Sequence, residues 1–140
     1  MSAEENKLII RRLIMEVWGN GDMAALDEIV SSDFIDHTTT GDVPRSENFK
    51  KLVIGFRSAF PDIQFTIEDI MAEGDKVIAR WGASGTHKGE FLGHALTDNR
   101  ISITGVHIYR LSNEKLVERW GNWDQLGLMQ QIGLIPTPKQ

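Results

Sequence analysis

The residues of this sequence that could carry out acid–base chemistry include an aspartate at the end of an alternating apolar segment. Asp124 comes at the end of the last such segment, close to Trp120 and Trp123. A carboxylate that is withdrawn from water in such surroundings binds a proton more tightly and becomes a better base. Asp124 also stands directly before a short helical pattern, where it would serve as the N-cap. The spacing alone leaves both roles open.

Two predicted strands place histidines beside apolar side chains. Alternation puts Trp81 and His87 on one face of the second strand, provided that no bulge intervenes. It puts His107 and Tyr109 together on one face of the third strand. Apolar walls that carry a few polar groups are typical of a ligand pocket. We therefore expect His107 to act on a ligand as a catalytic residue, and Trp81, Tyr109 and His87 to contact it.

The last predicted strand is assigned in the same way. Alternation groups Glu118, Trp120 and Asn122 on the face that also carries Asp124. Trp120 and Asn122 are therefore expected on the pocket wall. A carboxylate and hydrogen-bond donors on one apolar face could remove a proton from a carbon beside a carbonyl and stabilise the resulting enolate.

The composition excludes several kinds of site. The chain of 140 residues has no cysteine, so disulfides, thiolate metal sites and a cysteine nucleophile are excluded. None of the four histidines is paired at His-x-x-x-His spacing, and His94 is expected to face solvent. The glycines at 85, 89 and 93 do not form a phosphate-binding loop. We expect neither a metal ion nor a cofactor.

Charge and hydropathy narrow the choice of partner and compartment. Twenty acidic residues against fifteen basic ones give a net charge of −5, which disfavours a nucleic-acid partner. No apolar stretch approaches the length of about 18 residues that a membrane span needs. The acidic N-terminus lacks the basic and apolar regions of a signal peptide. We expect a cytoplasmic protein that binds a small molecule and no membrane.

Helical spacing of apolar residues dominates the first part of the chain. Three helices are predicted, which begin after the N-caps Ser2, Asp22 and Ser46. Between the second and third helices, residues 33–37 are expected to be extended and residues 38–44 to form a loop.

After Pro61 the pattern becomes alternating, which is typical of half-buried strands. Strands are expected at residues 63–67, 77–87, 101–111 and 115–123, and a short helix at residues 125–132. Helices followed by antiparallel strands predict an α+β fold, with the helices packed on one face of a curved sheet. We expect residues 1–140 to form a single domain.

Ordered motifs along nearly the whole chain are similar to those of one family. They are Trp18-Gly19-Asn20-Gly21-Asp22, Asp33-Phe34 with His37, Phe60-Pro61-Asp62-Ile63, Arg80-Trp81, Gly85-Thr86-His87, Leu116-Val117-Glu118 and Gln130-Gln131-Ile132-Gly133. The chain resembles the SnoaL-like polyketide cyclases and predicted ester cyclases. This resemblance implies the nuclear transport factor 2-like fold, a cone-shaped barrel in which a curved, mostly antiparallel sheet wraps around N-terminal helices. It also implies a homodimer formed through the sheet.

The resemblance also implies an activity and roles for individual residues. Cyclases of this family close a ring by intramolecular aldol condensation, without metal or cofactor. Their acid–base aspartate corresponds to Asp124, and His37 and His87 occupy motif positions, where we expect them to bind substrate. One departure is Asp98-Asn99, where relatives carry Thr-Gly, a difference that would reshape the loop over the pocket.

Two other functions are compatible with the same pattern. An isomerase or epoxide hydrolase on this barrel would need a second pocket carboxylate with an arginine nearby, for which Glu118 and Asp69 are candidates. Arg80 and Arg110 are instead expected in ion pairs at the surface or between subunits. A non-catalytic protein that binds a small molecule is the other alternative. The main hypothesis remains a cyclase that acts on a carbonyl compound.

Overall fold

The computed structural model describes residues 2–38 and 41–138, and within these ranges it is an α+β fold, as predicted. The helices are α1 (Ala3–Arg12), α2 (Met23–Ile29), α3 (Ser46–Ala59) and α4 (Gln125–Gln131), and a π-helical segment (Leu13–Trp18) continues α1. The strands are β1 (Val30–Thr38), β2 (Gly41–Pro44), β3 (Gln64–Glu73), β4 (Lys76–Thr86), β5 (Arg100–Ser112) and β6 (Lys115–Trp123).

Side-chain caps fix the starts of α1 and α2, as the sequence predicted. The Ser2 hydroxyl accepts a hydrogen bond from the Glu5 backbone N–H, and Glu5 reaches back to Ser2 to complete a capping box. The Asp22 carboxylate accepts a hydrogen bond from the Ala25 backbone N–H at 3.0 Å.

Two local predictions between α2 and β3 were wrong. Ser46 is the first residue of α3 rather than its cap; the N-cap is Arg45, which has a φ of 73° and no side-chain cap bond. In the loop predicted at residues 38–44, the described residues, Thr38 and Gly41–Pro44, belong to paired strands instead. β2 pairs antiparallel with β1 from Ile35↔Pro44 to Thr38↔Gly41, while residues 39 and 40 lie outside the described part.

The strands form one curved sheet in the order β2-β1-β6-β5-β4-β3. Neighbouring strands are antiparallel except for β1 and β6, which pair in parallel. The sheet does not close into a barrel. Helices α1 to α3 supply apolar residues that pack against its inner face, as expected for this fold class.

A bulge in β6 decides which side chains face inward. β5 and β6 pair Leu111 with Leu116 and Arg110 with Glu118, so Val117 is an extra residue on the β6 side. An extra residue reverses the alternation that follows it. Arg119 is therefore buried on the inner side, although simple alternation from Leu116 would have put it outside.

Candidate active site

A cavity of about 480 Å³ lies between the inner face of the sheet and the helices. Its size is that of a small-molecule pocket. Its inner wall is formed mainly by apolar and aromatic residues: Ile14, Trp18, Phe56, Phe65, Trp81, Ile103 and Trp123. Exposed residues of α3 and of the loop after β4 also line it and mark its mouth: Lys51, Leu52, Glu90 and Leu92.

A buried ion pair lies in this cavity. The Arg119 guanidinium donates from Nε to Asp36 Oδ1 at 3.0 Å and from Nη2 to Oδ2 at 2.7 Å. Asp36 is 1% exposed and Arg119 is 8% exposed. The guanidinium also lies over the rings of Trp18 and Phe49, at 5.6 and 5.0 Å from their centroids. The pair thus brings a carboxylate and a cation into apolar surroundings.

His107 also lines the cavity, as the sequence predicted for its face. The Trp81 indole N–H donates to His107 Nδ1 at 2.9 Å. Burial and then the positive charge of Arg119 lower the pKa of His107 to about 2. The ring is therefore neutral at ordinary pH and carries its proton on Nε2, which makes no hydrogen bond to another described residue.

Tyr109 and Trp81 line the cavity as well, as expected from alternation. Burial raises the pKa of Tyr109 to about 12, against the opposing effect of the Arg119 charge. The phenol therefore keeps its proton at any ordinary pH and can donate it in a hydrogen bond. Together with His107, this residue gives the cavity two neutral donors next to the ion pair.

Asp124 is the N-cap of α4. Its Oδ1 accepts a hydrogen bond from the Gly127 backbone N–H at 2.8 Å, and its side chain is exposed. Asp124 is not among the residues that line the cavity, but Trp123 and Gln125 on either side of it are. The structure thus shows the capping role directly and places the residue beside the cavity rather than in it.

The predicted pocket positions of Trp120, Asn122 and His37 were wrong. Trp120 and Asn122 follow the Val117 bulge, so they face outward while Arg119 and Trp123 face inward. His37 follows the inward-facing Asp36 on β1 and therefore also faces outward. None of these three residues lines the cavity.

The outward-facing residues form an ionic cluster on the outer surface of the sheet. His37 contacts Asp42 through Nδ1 and Glu118 through Nε2, each at 2.9 Å. The hydrogen bond to Glu118, helped by Asp42, raises the pKa of His37 against a smaller opposing effect of burial. Hydrogen bonds from His37 and then Arg110 lower the pKa of Glu118. Arg110 and Arg80 form surface ion pairs, as predicted, with Glu118 and Asp69.

His87 is fully buried but does not line the cavity. Its Nδ1 lies 3.0 Å from the Thr97 hydroxyl, and its ring packs against Phe60 at 5.5 Å between centroids. Its backbone N–H donates to the Asn99 carbonyl, which holds together the two ends of the loop after β4. His94, in that loop, is exposed as expected.

Asp36 and Arg119 were not singled out by the sequence analysis. A signal for Asp36 was present, because Phe34 and Asp36 lie two residues apart and alternate with Ile35 and His37. If the aromatic residue faces the core, Asp36 does too. No comparable signal existed for Arg119, since its inward position depends on the bulge at Val117.

The sequence profile of the SnoaL-like polyketide cyclases matches residues 8–132. This chain belongs to the SnoaL-like polyketide cyclase family. The match begins within α1 and ends just after α4, and it includes the six strands β1 to β6 and the cavity residues described above. Among functionally curated proteins, none matches the sequence significantly.

Solved structures agree with this family membership. AclR from Streptomyces galilaeus, provisionally named a hydroxylase, is 30% identical with a TM-score of 0.89, over 99% of this chain and 87% of that chain. A protein from Bacillus cereus, provisionally named a polyketide cyclase, is 32% identical with a TM-score of 0.80; the alignment covers 94% of this chain and 82% of that chain. IdmH from Streptomyces antibioticus, also provisionally named a polyketide cyclase, is 29% identical with a TM-score of 0.78; the alignment covers 91% of this chain and 98% of that chain.

Proposed function

We propose that this protein is a cofactor-free enzyme that closes a ring in a small carbonyl compound by intramolecular aldol addition. The observation that carries the proposal is the His107 Nε2–H, a neutral donor that makes no hydrogen bond to another described residue, in a largely apolar cavity. Such a donor, fixed before the substrate arrives, stabilises the negative charge that develops on an enolate oxygen. Family membership supports the same class of reaction.

Proton transfer needs a carboxylate with a free oxygen. Both oxygens of Asp36 accept hydrogen bonds from the Arg119 guanidinium, so each is already engaged within the protein. Asp124 uses Oδ1 for its cap, and Oδ2 accepts no hydrogen bond from the described residues. Its two chain neighbours line the cavity. We therefore assign proton transfer to Asp124, with a substrate that extends from the cavity to this position.

The reaction then proceeds in balanced steps. Asp124 takes a proton from a carbon between two carbonyl groups, and the enolate oxygen accepts a hydrogen bond from His107. The nucleophilic carbon attacks the carbon of a further carbonyl group in the same molecule and forms the new carbon–carbon bond. The alkoxide that results recovers the proton from Asp124. No atom is gained or lost, so no co-reactant is required.

Exchange of the acidic C–H of β-keto esters in D₂O, followed by proton NMR, tests the first step without the natural substrate. We expect the wild-type protein to accelerate this exchange. In Asp124→Ser the catalysed exchange rate should be lower by about 100-fold or more, because a general base contributes at least this factor. Serine is also a good N-cap, so this variant removes the base but keeps the cap. If Asp124→Ser exchanges as fast as the wild type, Asp124 is not the base.

A second candidate function, hydrolysis of an epoxide or a related electrophile, is favoured by the Asp36–Arg119 pair. A pocket carboxylate with an adjacent arginine is the arrangement that the sequence analysis required for this chemistry. The residues considered for it, Glu118 and Asp69, form ion pairs with outward-facing arginines instead. In this case Asp36 would orient a water molecule, and an Asp36→Asn variant would lose turnover of epoxide probes while Asp124→Ser kept it.

A further inference from the structure

The hydrogen bond between Trp81 and His107 has only one chemical interpretation. An indole N–H can donate but not accept, so His107 Nδ1 must be the acceptor. A neutral imidazole that accepts at Nδ1 carries its hydrogen on Nε2. The planes of the two rings are inclined by only 18°, with centroids 5.9 Å apart.

Two glycines on the neighbouring strands make room for this pair of rings. Gly105 lies opposite Trp81 in the β4–β5 register, and a Cβ added to it would lie 2.3 Å from Trp81 Cζ2. Gly121 lies opposite His107 in the β5–β6 register, and its Cβ would lie 2.6 Å from His107 Cδ2. Real Cβ atoms do not approach other atoms so closely. A larger residue at Gly105 would displace the indole, and one at Gly121 would meet the Val106 carbonyl oxygen at 2.3 Å as well as the imidazole.

We propose that Trp81 is a positioning residue, which together with Gly105 and Gly121 fixes the tautomer and orientation of His107. The cavity therefore presents an N–H at this point and not a nitrogen lone pair. A ligand atom placed there must be an acceptor, such as a carbonyl or enolate oxygen, and an ammonium or amide N–H is rejected. Trp81 thus selects the substrate class without acting on the substrate through its own N–H.

The electrostatics of the site agree with this arrangement. His107 is 5% exposed, and protonation would put a second positive charge near Arg119 in apolar surroundings. The ring therefore remains neutral over the pH range in which the protein would work. In that state only the tautomer can vary, and the indole N–H determines it.

Nitrogen NMR of protein labelled with ¹⁵N in histidine and tryptophan tests the tautomer directly. In the wild type we expect an unprotonated Nδ1 and a protonated Nε2 for His107, unchanged between pH 5 and pH 8. A scalar coupling across the N–H···N bond should connect Trp81 Nε1 with His107 Nδ1. A protonated Nδ1 in the wild type would overturn the proposal.

Trp81→Phe keeps an aromatic ring and removes the donor. We expect both His107 tautomers to appear in this variant, with averaged ¹⁵N shifts. Gly105→Ala should have the same effect while the indole N–H is still present, because the added methyl group displaces the indole. Trp120→Phe, on the outer face of the sheet, is the matched control and should leave His107 unchanged. A single, unaltered tautomer in Trp81→Phe would show that Trp81 does not determine it.

The catalytic consequence of this positioning rests on the proposed function, whereas the tautomer itself does not. Complete removal of an oxyanion donor typically slows a reaction about 100-fold or more. If His107 is the enolate donor, Trp81→Phe misplaces this donor without removing it, so the rate of β-keto ester exchange should fall by about 10-fold or more. The apparent affinity for the ester should change much less. A shifted tautomer with unchanged exchange would support the positioning role and overturn the assignment of His107 as the donor.

Discussion

At the residue scale, the two charges of the ion pair in the cavity depend on each other. Asp36 and Arg119 are both buried, and each has lost most of its hydration. We expect Asp36→Asn to lower the free energy of unfolding by about 3–5 kcal/mol, because it leaves a buried cation without its counter-charge. Urea unfolding followed by tryptophan fluorescence measures this loss.

The double variant Asp36→Leu with Arg119→Met is the matched control. It removes both charges and keeps apolar side chains of similar length, so its stability should return to within about 1 kcal/mol of the wild type. Such a result would mean that the pair is retained for its chemistry rather than for stability. A double variant as unstable as Asp36→Asn would instead assign the pair a structural role through its hydrogen bonds.

His37 gives the stability of the sheet a predictable pH dependence. Its folded-state pKa is raised, first by Glu118 and then by Asp42, so the contribution is fully present below the unfolded-state value of about 6.5. It is lost as the pH rises through the folded-state value. The urea concentration at the unfolding midpoint should therefore decrease as the pH rises above about 6.5 in the wild type. In His37→Gln the same decrease should be less steep. His94→Gln changes an exposed histidine outside this cluster, so its urea midpoint should depend on pH as in the wild type. Equal pH dependence in all three proteins would contradict this explanation.

At the element scale, α4 depends on its cap. The Asp124 side chain accepts the Gly127 N–H, so Asp124→Ala should lower the free energy of unfolding by about 1 kcal/mol. Asp124→Ser should stay within a few tenths of a kcal/mol of the wild type, because serine caps equally well. Thermal unfolding of the two variants side by side measures the difference. Equal loss in both would mean that the carboxylate has a further contact at this position.

Local patterns predicted the elements well, and a local irregularity accounts for the main errors. The caps at Ser2 and Asp22 could be predicted because each depends on a hydrogen bond to a residue only three positions further along the chain. Strand β6 was predicted at its observed bounds. The bulge at Val117 leaves no mark in the hydrophobic pattern, since Leu116 and Val117 are both apolar. Simple alternation therefore assigned every β6 residue after the bulge to the wrong face of the sheet. The inward position of His107 follows from simple alternation along β5, whereas that of Arg119 depends on the bulge.

At the scale of the whole molecule, a row of apolar side chains crosses the outer face of the sheet. Strand register places Met71, Ile78, Ile108 and Trp120 side by side on β3 to β6. Met71 is 58% exposed and Ile78 is 38% exposed. Charged residues of both signs lie on either side of the row: Asp69 and Arg80 on one side, and Lys76, Arg110 and Glu118 on the other. A second copy related by a twofold axis could match these charges while covering the row.

The homodimer inferred from the family resemblance therefore remains a prediction with a definite surface. We expect a dimer by light scattering after size-exclusion chromatography, and a monomer for Ile108→Lys, because the new charge would be buried at the centre of the row. Leu8→Lys, at an exposed leucine on α1, should remain a dimer. A monomeric wild type, or a dimeric Ile108→Lys variant, would contradict this arrangement.

The parallel pairing of β1 with β6 has a consequence for folding kinetics. Asp36 and Arg119 are 83 residues apart in sequence, and the hydrogen bonds between them form only when the first strand meets the last one. Contacts of such long separation slow folding, because a large loop must close before they can form. During synthesis, β1 leaves the ribosome long before its neighbour β6 exists. The nascent chain therefore has no complete cavity, and ligand binding can begin only after β6 has been made.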